Sequence, residues 1–302
     1  MRKIQKIMVA YDGSPHSKAA VDWAMHLGVS NGAELLLVKV FEPIIETYIG
    51  DFYSDANVAE EYDQMIKTDQ QKMEDLKVFC KGACKIKIQV ELLRGHVVST
   101  LLDYAQKNDV DLIVAGTKGY GLFKEILEGS ITSSLVSLSK VPVLAVKEPG
   151  ESTDLKKILV AYDGSDFAKA ALDMAIDISK IEDAKIWAVK VTDPLDIMRL
   201  AGMAESGAGR RVGAALEEMD EAEKKILEGA KSAAALKGME IETKLLPSGN
   251  IAAEILKFAD EIEADMIVAG TLGHGLLGEL LVGSVTRNLI SLSKIPVLAV
   301  KK

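Results

Sequence analysis

The stretch "DLIVAGTKGYGLFKEILEGS" (111–130) decides how this chain folds, because it occurs twice. It returns as "DMIVAGTLGHGLLGELLVGS" (265–284), 154 positions later. Each copy opens on a short apolar run, passes through spaced glycines and closes on Gly-Ser. An amphipathic stretch follows, "ITSSLVSLS" or "VTRNLISLS". The reading is strand, glycine-rich loop, helix, with the spacing Gly-x2-Gly-x9-Gly-Ser. The loop lacks the Lys-Ser/Thr ending of a Walker A loop. "GTKGYG" is a G-x-x-G-x-G string after the fourth predicted strand, so it is not a dinucleotide fingerprint either.

Working outward, "IMVAYDGS" (7–14) returns as "ILVAYDGS" (158–165), and "SLSKVPVLAVK" (137–147) as "SLSKIPVLAVK" (291–301). The chain is therefore a tandem repeat, read as domains 1–148 and 154–302. The polar "EPGESTDLKK" (148–157) reads as a linker. Between the copies the offset grows from 151 to 154, a three-residue change between the second strand and the Gly95/Gly249 turn, the middle segment where duplicated domains carry insertions. In the first half, strands are expected at 4–10, 33–41, 85–93, "DLIVAG" and "VPVLAV". Helical spacing occupies 15–29, 58–80, 97–107 and about 131–139. The order β-α-β-α-β-α-β-α-β implies a parallel sheet with helices on both faces. Ligands of such sheets bind beyond the carboxyl ends of the strands, where strand order reverses. Asp12, Val40 and Gly116 fall at or near those ends and are expected to share one crevice.

The bulk numbers bound the alternatives. A chain of 302 residues, 48% hydrophobic and 27% charged, has room for two domains with cores of their own. No uncharged apolar run reaches the length of a membrane span. "MRKIQKIMVAYDGS" reads as a first strand, not a signal peptide, and the cytoplasm is the expected location. Net charge −9 argues against a broad nucleic-acid-binding face but not against a small anion site made of backbone N–H groups. Cys80 and Cys84, the only cysteines, have no second pair or clustered histidines, so two reduced thiols near a helix end are expected and no metal site.

The glycines of the ladder allow close backbone approach, and the closing Gly-Ser offers a helix start with free N–H groups. Together these suit a phosphate chain. One copy alone reads equally well as a turn and a serine cap. "DGS" after the first strand is likewise an ordinary turn and capping signal.

The ladder after a fourth strand, the "VAYDGS" opening and the "PVLAV" closing strand resemble the universal stress protein family, over both halves nearly end to end. The resemblance implies a doubly wound α/β fold with five parallel strands in the order 3-2-1-4-5. It also implies an adenine nucleotide as ligand, ATP or else AMP or ADP, with Mg²⁺ carried on the phosphates. Ala10, Asp12, Ala161 and Asp163 would lie near the adenosine, with Val40 and Val191 flanking the adenine. Gly116, Gly119, Gly129 and Ser130 would hold ribose and phosphates, matched by Gly270, Gly273, Gly283 and Ser284. Ile131 and Val285 would present backbone N–H groups. The closing strands would pair within one chain as an internal pseudo-dimer, and a homodimer is compatible with this.

No histidine sits in a triad or metal spacing, so no catalytic residue is assigned, and weak ATP turnover at most is expected. A slow hydrolase or phosphotransferase and a nucleotide-free scaffold are the alternatives to a nucleotide-responsive binding protein. The copies differ at Lys118 and Glu128 against Leu272 and Val282, which leaves their relative affinity open. The segments 42–60 and 192–215 differ completely and are the places to look for separate partners.

Overall fold

The computed structural model describes residues 4–42, 56–117, 130–147, 152–192, 209–272 and 282–302. The chain divides into two units, Arg2–Thr153 and Asp154–Lys302. The first contains β1 (Lys6–Ala10), α1 (Pro15–Asn31), β2 (Glu34–Phe41), α2 (Ala56–Ala83), β3 (Ile88–Arg94), α3 (Val97–Lys107), β4 (Leu112–Gly116), α4 (Ser130–Leu138) and β5 (Val143–Val146). The second contains β6 (Lys157–Ala161), α5 (Asp166–Glu182), β7 (Lys185–Val191), α6 (Gly209–Leu236), β8 (Glu242–Leu246), α7 (Ile251–Glu261), β9 (Met266–Gly270), α8 (Ser284–Leu292) and β10 (Val297–Val300).

Within the first unit every strand pair is parallel, in the order β3-β2-β1-β4-β5. The second runs β8-β7-β6-β9-β10, also parallel. Each unit thus has the 3-2-1-4-5 order of a doubly wound sheet. Its centre is apolar on both faces: Ile7, Met8 and Val9 of β1, and Ile158, Leu159 and Val160 of β6, are fully buried. This explains why these strands read as continuous apolar runs without alternation. Ala19, Ala20 and Ala24 are buried on α1, and α1 packs on β1 and β4. In one layer α3 lies against α4, as α7 does against α8.

Each centre has the same register device. The Asp111 carboxylate accepts the backbone N–H groups of Gln5 and Lys6 at 2.9 and 3.1 Å. Asp265 accepts those of Lys156 and Lys157, both at 2.7 Å. An aspartate just before the fourth strand therefore fixes the amino end of the first strand beside it. The expected linker loses its last residue, Lys157, to β6 by this contact. The third strand starts at Ile88, later than the alternation from Lys85 implies.

Candidate functional site

β1 lies between β2 and β4, so the carboxyl ends of these strands meet where the strand order reverses. Ala10 is in register with Val38 and Ala115, and Ala161 with Val189 and Ala269. The Tyr11 N–H still donates to Val38 O at 2.9 Å, as the Tyr162 N–H does to Val189 O at 2.8 Å. The chain then turns sharply. Asp12 Oδ1 accepts the Ser14 N–H at 2.9 Å, and Asp163 Oδ1 accepts the Ser165 N–H at 2.9 Å. Gly13 and Gly164 between them hold φ of 91° and 81°, the left-handed region in which a Cβ is penalised. Ser14 and Ser165 are the N-caps, their hydroxyls accepting the Ser17 and Ala168 N–H groups. The aspartates make the turn and the serines cap the helix, a division of labour the "DGS" signal leaves open. Val40 and Val191 lie near the carboxyl ends of β2 and β7, paired with Leu93 and Leu246.

β4 ends at Gly116 and β9 at Gly270, and here the lack of a side chain has a measurable reason. A Cβ on Gly116 would stand 2.6 Å from the His16 carbonyl carbon, and one on Gly270 2.7 Å from that of Phe167. Both strand ends thus press onto the first turn of α1 or α5. Their carbonyls each accept a short hydroxyl bond, from Thr132 and Thr286, both at 2.6 Å. These threonines stand in the first turns of α4 and α8, so each helix start is pinned to the end of the strand beside the reversal point. In the second unit the Gly283 N–H donates to Thr271 O at 2.8 Å. The ladder of that half therefore begins and ends at one place. Gly283 is the N-cap of α8, Ser284 is exposed and Val285 part-exposed. The first N–H groups of α8, before the Arg287 N–H that donates to Gly283 O at 3.1 Å, have no place in the helical ladder.

Ser130 starts α4, and Ile131 follows it. Gly119, Gly129 and Gly273 lie outside the described residues, as do Lys118, Glu128, Tyr120, His274, 43–55 and 193–208. Leu272 and Val282 are buried. Among the described residues no group of three or more His, Cys, Asp or Glu could hold a metal ion.

Two further features lie outside the motif pattern. Thr117 and Thr271, the residues just past the strand-end glycines, are 4% and 1% exposed, and their hydroxyls have no hydrogen-bond partner. Lys39, inside the apolar run of β2, pairs with Asp69 of α2 at 2.5 Å. Its counterpart Lys190 of β7 pairs with Glu223 of α6 at 3.0 Å. A charge inside "LLLVKVF" and again inside "WAVKV" was the available signal. Beside the first-unit pair lies a cleft of about 670 Å³, lined by Tyr11, Asp12, Gly13 and Lys18 together with Lys39 and the face of α2 that carries Asp69, Lys72, Met73, Asp75, Leu76 and Phe79.

The fold defines a class, the doubly wound parallel α/β domains, here present twice. The universal stress protein family model matches residues 3–147 and 154–301, and the chain belongs to that family, once in each half. It is 38% identical over 148 residues to a universal stress protein of Methanocaldococcus jannaschii, covering 49% of this chain and 82% of that one. A universal stress protein of Mycolicibacterium smegmatis matches at 23% identity over 98% of this chain and 96% of its own length. The crystal structure of a universal stress protein from Archaeoglobus fulgidus superposes with a TM-score of 0.67 at 22% identity, covering 100% of this chain and 99% of that one. That last likeness is one of fold.

Proposed function

We propose that this protein is a stress-response nucleotide-binding protein of the cytoplasm. Each half takes an adenine nucleotide, ATP in preference, and binding regulates contacts with partners. The observation that carries the reading is the closure of the second ladder: Gly283 N–H on Thr271 O at 2.8 Å sets a helix start against the end of the fourth strand. A helix start of this kind offers free N–H groups and a positive dipole end to an anion. Its place at the reversal point is where doubly wound sheets receive ligands. The adenosine falls to the turn after the first strand, with Ala10, Asp12 and Val40 in one half and Ala161, Asp163 and Val191 in the other. The phosphates fall to Gly116, Gly119, Gly129, Ser130 and Ile131, and to Gly270, Gly273, Gly283, Ser284 and Val285. Mg²⁺ would be carried on the phosphates.

The test is titration calorimetry of MgATP into protein stripped of bound nucleotide, with mass spectrometry of whatever copurifies. Saturable ATP binding and a copurifying adenine nucleotide are expected. No heat up to about millimolar ATP, about −4 kcal/mol in binding free energy, would end the proposal.

A further inference from the structure

Buried hydroxyl groups almost always find a partner, because an unpartnered one costs about 1–3 kcal/mol. Every other buried serine or threonine hydroxyl among the described residues obeys this rule, including Thr132, Ser139, Ser179 and Thr286. Thr117 Oγ1 and Thr271 Oγ1 do not. These two are the same position of the two halves, and both lie at the strand end where the sheet order reverses. Their backbone N–H groups are committed: that of Thr117 donates to Val146 O at 2.9 Å and that of Thr271 to Val300 O at 3.0 Å. The hydroxyls are not. Valine has nearly the same shape and would remove the cost, so the hydroxyl needs a reason.

The surroundings indicate which ligand group it meets. Gly116 and Gly270, one residue back, are part-exposed, so each threonine follows directly on the accessible end of its strand. Thr271 O holds the N-cap residue of α8, so Thr271 itself stands at the helix-start end of the site. We infer that Thr117 and Thr271 are ligand residues, each donating its O–H to a phosphate oxygen of the bound nucleotide. The inference rests on the nucleotide reading above and adds to it a phosphate contact absent from the ladder pattern of glycines and closing serine.

The test compares Thr117→Val/Thr271→Val and Thr117→Ser/Thr271→Ser with the parent chain, by MgATP titration and by thermal unfolding of nucleotide-free protein. Valine is expected to weaken ATP binding about 5- to 30-fold while leaving the nucleotide-free unfolding temperature equal or higher. Serine, which keeps the hydroxyl, is expected to retain the affinity. Stability and affinity moving in opposite directions is an outcome that a purely structural threonine does not give. Unchanged ATP affinity in the valine variant would overturn the inference and leave the nucleotide reading intact. So would weakened affinity with a lowered unfolding temperature, because the hydroxyl would then serve the fold. A parent chain that binds no ATP would overturn both.

Discussion

The lysine near the end of the second strand is handled differently in the two halves. Lys39 and Asp69 remain 16% and 13% exposed, Lys72 approaches the same carboxylate at 3.5 Å, and the Lys39 ammonium stands 5.3 Å from the Phe41 ring centre. Lys190 and Glu223 are 13% and 7% exposed, and Thr192, at the position of Phe41, donates its hydroxyl to Glu223 at 2.7 Å. The second pair is thus closed off by neutral hydrogen bonding, and the first is shared among three charges beside an open cleft. Residues of α2 lining that cleft, Lys72, Asp75, Leu76 and Phe79, correspond to Ile226, Gly229, Ala230 and Ala233 of α6. A need common to both halves, holding the long helix to the strand that carries Val40 or Val191, has kept the lysine and an acid. Their surroundings have diverged around that need.

The comparison is sharpened first where the halves agree. Gly116→Val and Gly270→Val each place a side chain under 3 Å from helix backbone, which cannot yield as a flexible side chain would. Each is expected to cost about 3 kcal/mol, the upper end of overpacking penalties, and to cost it equally in both halves. Denaturant unfolding of the two variants checks this. A loss in one half alone would break the equivalence of the strand ends.

Next comes the point where they differ. Lys190→Met strands Glu223 in a nearly closed site and is expected to cost about 3 kcal/mol. Lys39→Met leaves Asp69 the Lys72 ammonium and more water, and about 1 kcal/mol is expected. The same unfolding measurement reads both. Equal losses would mean that the extra exposure of the first pair carries no energetic weight. Smaller still, Ser14→Ala and Ser165→Ala remove equivalent caps and should cost about 1 kcal/mol each.

Much of this architecture is legible in the sequence, and the reason is local. The strands are buried on both faces and the helices are amphipathic, so composition and period separate them. The ladder could be placed because it follows a strand and precedes a helix. Partners distant in sequence could not be read. Lys39 announces itself as a charge in an apolar run, but Asp69 sits 30 residues on, along a helix of many acids. Asp111 precedes a strand like any turn residue, and its bonds to Gln5 and Lys6 exist only once β1 lies beside β4. A threonine after a glycine gives no sign of whether its hydroxyl will be satisfied, so nothing in the sequence marks Thr117 and Thr271. Spacing marks the glycines at 116 and 270 for ligand approach, and the close packing of a helix turn against them is an additional demand that spacing does not express.

The effect smallest at neutral pH separates the halves in alkali. Burial raises the Cys80 thiol from 9.0 to about 11, with Cys84 and Asp22 adding to it. Burial also raises the Tyr104 phenol from 10.0 to about 12, helped by Glu91 and Glu34. Their counterparts in the second half, Ala234 and Phe258, do not ionise. The second half has one such group, Tyr162, raised by burial and then by Asp163 and Asp173. In each case the folded state holds the proton more tightly than the unfolded chain does. The stabilisation is therefore complete below the unfolded value and is lost as pH rises through the folded one. For Cys80 the window is pH 9 to about 11, and for Tyr104 it is pH 10 to about 12. Cys80→Ala/Tyr104→Phe should leave the pH dependence of unfolding unchanged below about pH 9 and move the alkaline midpoint upward. Tyr162→Phe should move it less. An alkaline midpoint that ignores the first pair and follows Tyr162 would reverse the assignment of the more alkali-sensitive half.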